Sequence, residues 1–271
     1  MRAGRASPAS LAATGGVGGL FSGLTGVGGG AVMVPLMTGV LKMSQHTAHG
    51  TSLLVIIFAA LAGALTYLLN GSAEWALVAT LLAGSAIGAY AGARLVQLLP
   101  ALRLRQLFGV FLLALGARLL VFHDTSAMLS TSGLAEHALG AAIGLAGGLS
   151  SGALGVGGGA IFVPGLVILL GTGQHEAQAA SLNVIVVTAM VGAFTHYRHG
   201  TADPGSAAWI IPAAVPAGVG GAMLADQLDA GVLQRIFALV LVGVGTQMLV
   251  SATRALRRPA GAHGVVLEVG R

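Results

Sequence analysis

The sequence predicts an all-α integral membrane protein made of two copies of one unit, and three observations carry that prediction. Of the 271 residues, 55% are hydrophobic and only 8% charged, whereas a water-facing domain carries about 25% charged residues to wet its surface. Several apolar segments have roughly the 20-residue length that crosses a bilayer. A glycine-rich motif also recurs: Gly18 to Gly30 returns as Gly147 to Gly159, at an offset of 129 residues.

The offset holds without a gap. Pro35 meets Pro164, Gln45 and His46 meet Gln174 and His175, Ser52 meets Ser181, Thr66 meets Thr195, and Gly92 and Ala93 meet Gly221 and Ala222. The predicted organisation is repeat 1 over 11–122, a linker over 123–137, repeat 2 over 138–250 and a cytoplasmic tail over 251–271. Repeat 1 divides into apolar segments near 11–41, 47–69, 75–99 and 103–122; repeat 2 divides near 138–171, 176–197, 206–226 and 232–250.

The last three segments of each repeat suit transmembrane helices. The first is longer and is broken by Gly26-Val-Gly-Gly-Gly30, with Pro35 close behind; its mate breaks the same way at Gly155 to Gly159. Runs of glycine are poor helix formers and permit the φ > 0 turns that a chain reversal needs. The broken segment either crosses once or dips in as two half-helices and returns. Cytoplasmic loops carry excess Lys and Arg. With a re-entrant dip and the N-terminus inside, only Arg118 and Arg235 of the 13 basic residues fall outside; a single crossing puts at best 8 inside and 5 outside. The re-entrant arrangement fits better. One dip and three crossings make an odd number per repeat, so the second copy is predicted to lie upside down. Two inverted repeats with discontinuous helices are a recurring plan of secondary transporters. Both termini are predicted to be cytoplasmic.

Composition excludes some functions. With no cysteine there is no disulfide, thiolate metal site or catalytic thiol. The net charge of +5 sits at segment ends and not along one face, which argues against a nucleic-acid partner. Arg2 and Arg5 before an apolar stretch imitate a signal peptide. That stretch is matched inside the chain, so it reads as mature structure.

At these glycines the chain resembles the sulfite exporter TauE/SafE family, also called the toluene-sulfonate uptake permease family. The motif stands twice, as Gly23-Leu-Thr-Gly-Val-Gly-Gly-Gly-Ala-Val-Met-Val-Pro35 and Gly152-Ala-Leu-Gly-Val-Gly-Gly-Gly-Ala-Ile-Phe-Val-Pro164, and the likeness spans roughly 12–250. The resemblance implies a multi-pass permease of a bacterial plasma membrane for small sulfur-containing anions such as sulfite, sulfonates or thiosulfate. It does not specify the substrate, and the second copy departs from the first with Ala179-Ala180 in place of Gly50-Thr51.

The expected site follows from helix electrostatics. A helix that begins at the bilayer centre points free N–H groups and its positive dipole end into the protein, where an anion can bind. Gly28, Gly29 and Gly30, with Gly157, Gly158 and Gly159, are the expected backbone of such a site. The alternative is that these glycines only permit tight helix crossings. Thr51, Ser52, Ser181 and Asn183 are the expected side-chain donors, although Ser and Thr in membrane helices also bond their own backbone. No cofactor or metal is expected. His46 and His49 stand three apart without a repeated third ligand. The acids all lie in loops, segment ends or the tail, so a buried-acid proton relay is not expected.

Three rival readings remain. Gly148-Leu-Ser-Ser-Gly152 fits the Gly-x-Ser-x-Gly pattern, so Ser150 with His196 or His199 would make an intramembrane hydrolase, but the strand–turn–helix context is missing. Gly155-x-Gly-x-x-Ala160 imitates a dinucleotide fingerprint without its βαβ unit. A passive channel for a small solute would use the same re-entrant segments. Direction of transport, coupling ion and oligomeric state are left open.

Overall fold

The structure is a computed structural model and describes residues 7–69, 75–95, 101–121, 133–154 and 157–257. Residues 123–132 of the linker expected over 123–137, the tail beyond 257, and Arg2 and Arg5 lie outside these residues. The described chain is helical. In order it forms α1 (Pro8–Thr25), α2 (Gly30–Gly39), α3 (Gln45–Leu69), α4 (Trp75–Leu95), α5 (Ala101–Val121), α6 (Leu134–Leu154), α7 (Gly159–Gly165), α8 (Gln174–Arg198), α9 (Pro204–Gln227) and α10 (Ala230–Arg257). A π-helical turn, Leu166–Leu170, continues α7. The stretch after Pro35 stays α-helical, so the proline shared by both repeats does not by itself dictate that turn. The helix α10 runs past 250 into residues expected as tail.

Local chemistry sets the ends. Ser7 accepts from Ser10 N at 3.2 Å and precedes Pro8, so α1 has both an N-cap and a proline where no N–H is needed. Asp203 does the same for α9, accepting from Ser206 N ahead of Pro204. Gly26, at φ 68°, closes α1 in the left-handed conformation.

Among the described residues, five helices are long and apolar enough to cross a membrane: Gln45–Leu69, Trp75–Gly92, Gln174–Arg198, Pro204–Gln227 and Ala230–Thr253. Six crossings were expected. The sixth candidate, α5, is a helix, and among the described residues its apolar stretch is Gly109–Val121. Large apolar side chains such as Phe58, Leu65, Ile87, Met190, Phe194, Trp209 and Leu239 face outward. Alanines such as Ala59, Ala60, Ala179, Ala189 and Ala214 fill the interior. Small residues inside and bulky apolar ones outside are what lipid, not water, selects.

Glycines set the helix pairing. An added Cβ at Gly15, Gly19 or Gly23 of α1 would collide with the carbonyl oxygen of Ile210, Ala214 or Gly218 of α9, respectively. Gly84, Gly88 and Gly92 of α4 approach Ala141, Leu145 and Leu149 of α6 in the same way. The numbers rise together, so both pairs run parallel. By contrast α3 and α8 run antiparallel, with Gly50 beside His196, Gly63 beside Leu182 and Leu53 beside Gly192. So do α5 and α10, where Gly109 meets Leu249 and Gly116 meets Val242. Between repeats the packing is reciprocal: α1 on α9 mirrors α6 on α4, and α3 on α9 mirrors α8 on α4.

These registers fix the ends of the bundle. The starts of α1 and α9 lie together, and Thr51 near the start of α3 accepts from Asp203 N just before α9. The starts of α1, α3 and α9 thus share one end. The start of α8 lies at the other, beside the end of α3, where Tyr67 bonds Gln178.

Candidate functional site

The two helix breaks meet in the middle of the bundle. After Gly26 the chain passes Gly28 at φ 91° and Gly29 at φ 73°, then enters α2. In repeat 2 Gly157 at φ 99° and Gly158 at φ 77° lead into α7. An added Cβ at Gly157 would lie 3.2 Å from Val27 O, and one at Gly159 would lie 2.7 Å from Val27 Cα, so the breaks touch. At Gly28 an added Cβ would lie 3.1 Å from Ile185 and 3.4 Å from Ile56, residues midway along α8 and α3. The six glycines expected from the sequence are thus brought together, all of them buried.

Their backbone leaves donors open. Neither Gly29 nor Gly158 offers a side-chain cap. The first backbone bonds run from Val32 and Met33 to Gly29 O at 3.1 and 2.9 Å, and from Ile161 and Phe162 to Gly158 O at 2.9 and 3.1 Å. The N–H groups just ahead of these, on Gly30, Ala31, Gly159 and Ala160, have no acceptor among the described residues. Two helix starts then present open donors to one small region, an arrangement that suits negative charge.

The expected side chains divide. Ser181 Oγ donates to Gly26 O at 2.7 Å, tying α8 of repeat 2 to the break of repeat 1. Thr51 is fully buried, and its Oγ1 accepts from Asp203 N at 3.0 Å, so it anchors the start of α9 at the end of the bundle. Ser52 donates to His49 O at 2.9 Å and Asn183 to Ala179 O at 2.9 Å, each within its own helix. Of these four side chains Ser181 alone is bonded to a break.

Other polar groups sit beside the break without having been singled out from the sequence. Tyr67 Oη donates to Gln178 Oε1 at 2.7 Å and lies 3.3 Å from Gly23 O. Gln178 is 0% exposed, and its Nε2 has no partner. The Oγ of buried Ser22 and both amide ends of Gln174, which is 3% exposed, are likewise unpartnered. An added Cβ at Gly26 would meet Gln178 Cα and Cβ at 2.9 Å, so Gln178 lies against the break. The signal was a spacing: Gln174, Gln178, Ser181 and Ile185 share one face of α8, as Gln45, His49, Ser52 and Ile56 share one face of α3.

The hydrolase residues are otherwise engaged. Ser150 Oγ donates to Gly147 O of its own helix at 2.7 Å. His196 Nδ1 pairs with Thr201 Oγ1 at 2.8 Å, and His199 Nδ1 lies 2.7 Å from Thr195 O. His46 is exposed at the start of α3.

Apolar-faced helices of spanning length around two broken helices define a polytopic membrane transport protein. The family model described as sulfite exporter TauE/SafE matches residues 1–119 and 140–270, and the chain belongs to that family. Among curated proteins it is 26% identical to the probable membrane transporter protein YunE of Bacillus subtilis (strain 168), over 86% of this chain and 94% of that one. It is 27% identical to a probable membrane transporter protein of Xylella fastidiosa (strain 9a5c), over 87% of this chain and 92% of that one. A second Bacillus subtilis protein, the probable membrane transporter protein YdhB, is 28% identical over 68% of this chain and 77% of its own. No solved structure matches.

Proposed function

We propose that the protein carries a small anion, a sulfur oxyanion or organosulfonate, across a bacterial plasma membrane, binding it where the two breaks meet. One observation carries this reading: two helix starts with open N–H groups face one buried region at the centre of the bundle. Such ends hold an anion without a buried Lys or Arg. The name of the family supports the sulfur class. The test is thermal unfolding of the detergent-purified protein against sulfite, thiosulfate, sulfate, taurine, sulfoacetate, acetate and chloride. A ligand bound only by the folded state raises its stability by about 2.7 kcal/mol at a hundred times its Kd. A saturable upward shift with one sulfur anion is expected; no shift with any would sink the reading and bring a passive pore forward.

The same reading makes the repeats, 11–122 and 138–250, inverted in the membrane, each with a re-entrant broken helix. It is supported by the antiparallel course of equivalent helices, α3 with α8 and α5 with α10. Further support comes from α1 and α3 starting at one end of the bundle while α8 starts at the other. Both termini then face the cytoplasm. Lys42 and Gly173 are exposed just ahead of α3 and α8, and the chain has no native cysteine. Single cysteines at these positions should differ: from outside the cell, an impermeant thiol reagent should label Gly173→Cys and spare Lys42→Cys. Equal labelling of the two would refute the inverted arrangement.

A further inference from the structure

The stripe on α8 is chemically costly as it stands. Gln174, Gln178, Ser181 and Ile185 lead from one end of the bundle to the break, where Ser181 holds Gly26 and Ile185 touches Gly28. Three amide atoms on that stripe, Nε2 and Oε1 of Gln174 and Nε2 of Gln178, are buried without a partner. Burial of an unpaired polar group costs free energy wherever it occurs. Apolar residues would serve packing better here, so the amides mark a place where a partner arrives. The equivalent stripe on α3 is open: Gln45 is exposed and His49 half-buried, against 3% for Gln174 and 0% for Gln178. Two stripes built alike thus differ in access, one open toward its end of the bundle and one shut.

We propose that Gln178 is a substrate-binding residue: its Nε2 donates to an oxygen of the bound oxyanion beside the first break, and Gln174 is the preceding step of the same path along α8. The assignment rests on the anion-carrier reading above. Its geometry is specific. Tyr67 holds Oε1 at 2.7 Å and so turns the donor end of the amide away from itself. The backbone of α8 presses on Gly26, which keeps Gln178 at the mouth of the break. Ser22, on the last turns of α1 with its carbonyl accepting from Gly26 N and its Oγ unpartnered, is a second candidate donor close to the break in the chain. A buried water is the competing partner, and it would make the amide structural.

The experiment compares full-length wild type, Gln178→Leu and Gln178→Asn in detergent, each melted without anion and across the seven-salt panel. Leucine removes the amide at similar volume and leaves Tyr67 the carbonyl of Gly23. The expected result is an anion-free melting temperature equal to or above wild type, with apparent affinity for the shifting anion about ten- to hundredfold weaker. Asparagine keeps the amide but draws it back, and should weaken affinity too while melting with wild type. It carries the test if the leucine variant does not fold. Wild-type affinity in either folded variant overturns the assignment and leaves the anion reading intact. A large fall in anion-free melting with unchanged affinity assigns the amide to a structural water and overturns it as well. A wild type that answers to none of the seven salts overturns the anion reading, and this assignment with it.

Discussion

Gly19→Leu should destroy the bundle, and Gly16→Leu, three residues earlier on the same helix, should leave it standing. A side chain at Gly19 meets the carbonyl of Ala214, a backbone atom that cannot swing aside, and Gly15 and Gly23 repeat the same contact above and below. Separating α1 from α9 therefore strips a whole helix face of its packing. Overpacking a well-packed interior costs about 1–3 kcal/mol where side chains can yield. Here none can, and a loss of about 3 kcal/mol or more is expected. A side chain at Gly16 has nothing within 4 Å, and leucine is the better helix former by roughly 0.8 kcal/mol. Melting temperature and monodisperse yield in detergent read both variants. Similar melting of the two would mean that close backbone approach does not hold α1 to α9.

That contrast marks the limit of sequence reading for this chain. The gapless offset made the duplicated unit legible, and the boundaries of α3, α8 and α9 lie close to the apolar segments. What glycine does at each place was not legible. Gly19 and Gly29 are the same letter in the same motif, yet one lets two helices touch and the other turns the chain at φ 73°. Gly19 serves a close helix crossing and Gly29 a turn at a helix break, and binding at that break is what we propose, not what the turn alone demonstrates. Position along an apolar run misled in the same way. Thr51 sits beside Ser52 in sequence, but a helix sends neighbours about 100° apart, and Thr51 faces α9. Gln178 was not among the expected residues, because nothing in the sequence shows which polar side chain of an apolar segment meets the break. Gln178 is buried against the first repeat, by Tyr67 of α3 and by Gly26 at the break.

Gly29→Val and its repeat mate Gly158→Val should abolish anion binding, while Gly39→Val should not. Valine is β-branched, and both break glycines hold φ values, 73° and 77°, that such a side chain rarely adopts. The left-handed conformation alone costs about 1–2 kcal/mol. The new Cβ at Gly29 also runs into Gly18 O, and the one at Gly158 would lie 2.7 Å from Gly147 O, so the break must open or shift in either variant. Shifting it moves the N–H groups of Gly30 and Ala31, or of Gly159 and Ala160, off any ligand they share. Gly39, at the exposed far end of α2, has open space and no positive φ. Anion-dependent melting and counter-flow in proteoliposomes read all three variants. Gly28→Ala is the mildest change at the break: it shares the left-handed strain at φ 91°, but its Cβ would meet the Ile185 and Ile56 side chains at 3.1 and 3.4 Å and not a carbonyl. A folded Gly28→Ala protein should lose affinity because the strained break, pushed off Ile185 and Ile56, moves the open N–H groups that follow it. Full binding by that protein and by Gly29→Val would place the anion elsewhere and reduce the breaks to packing.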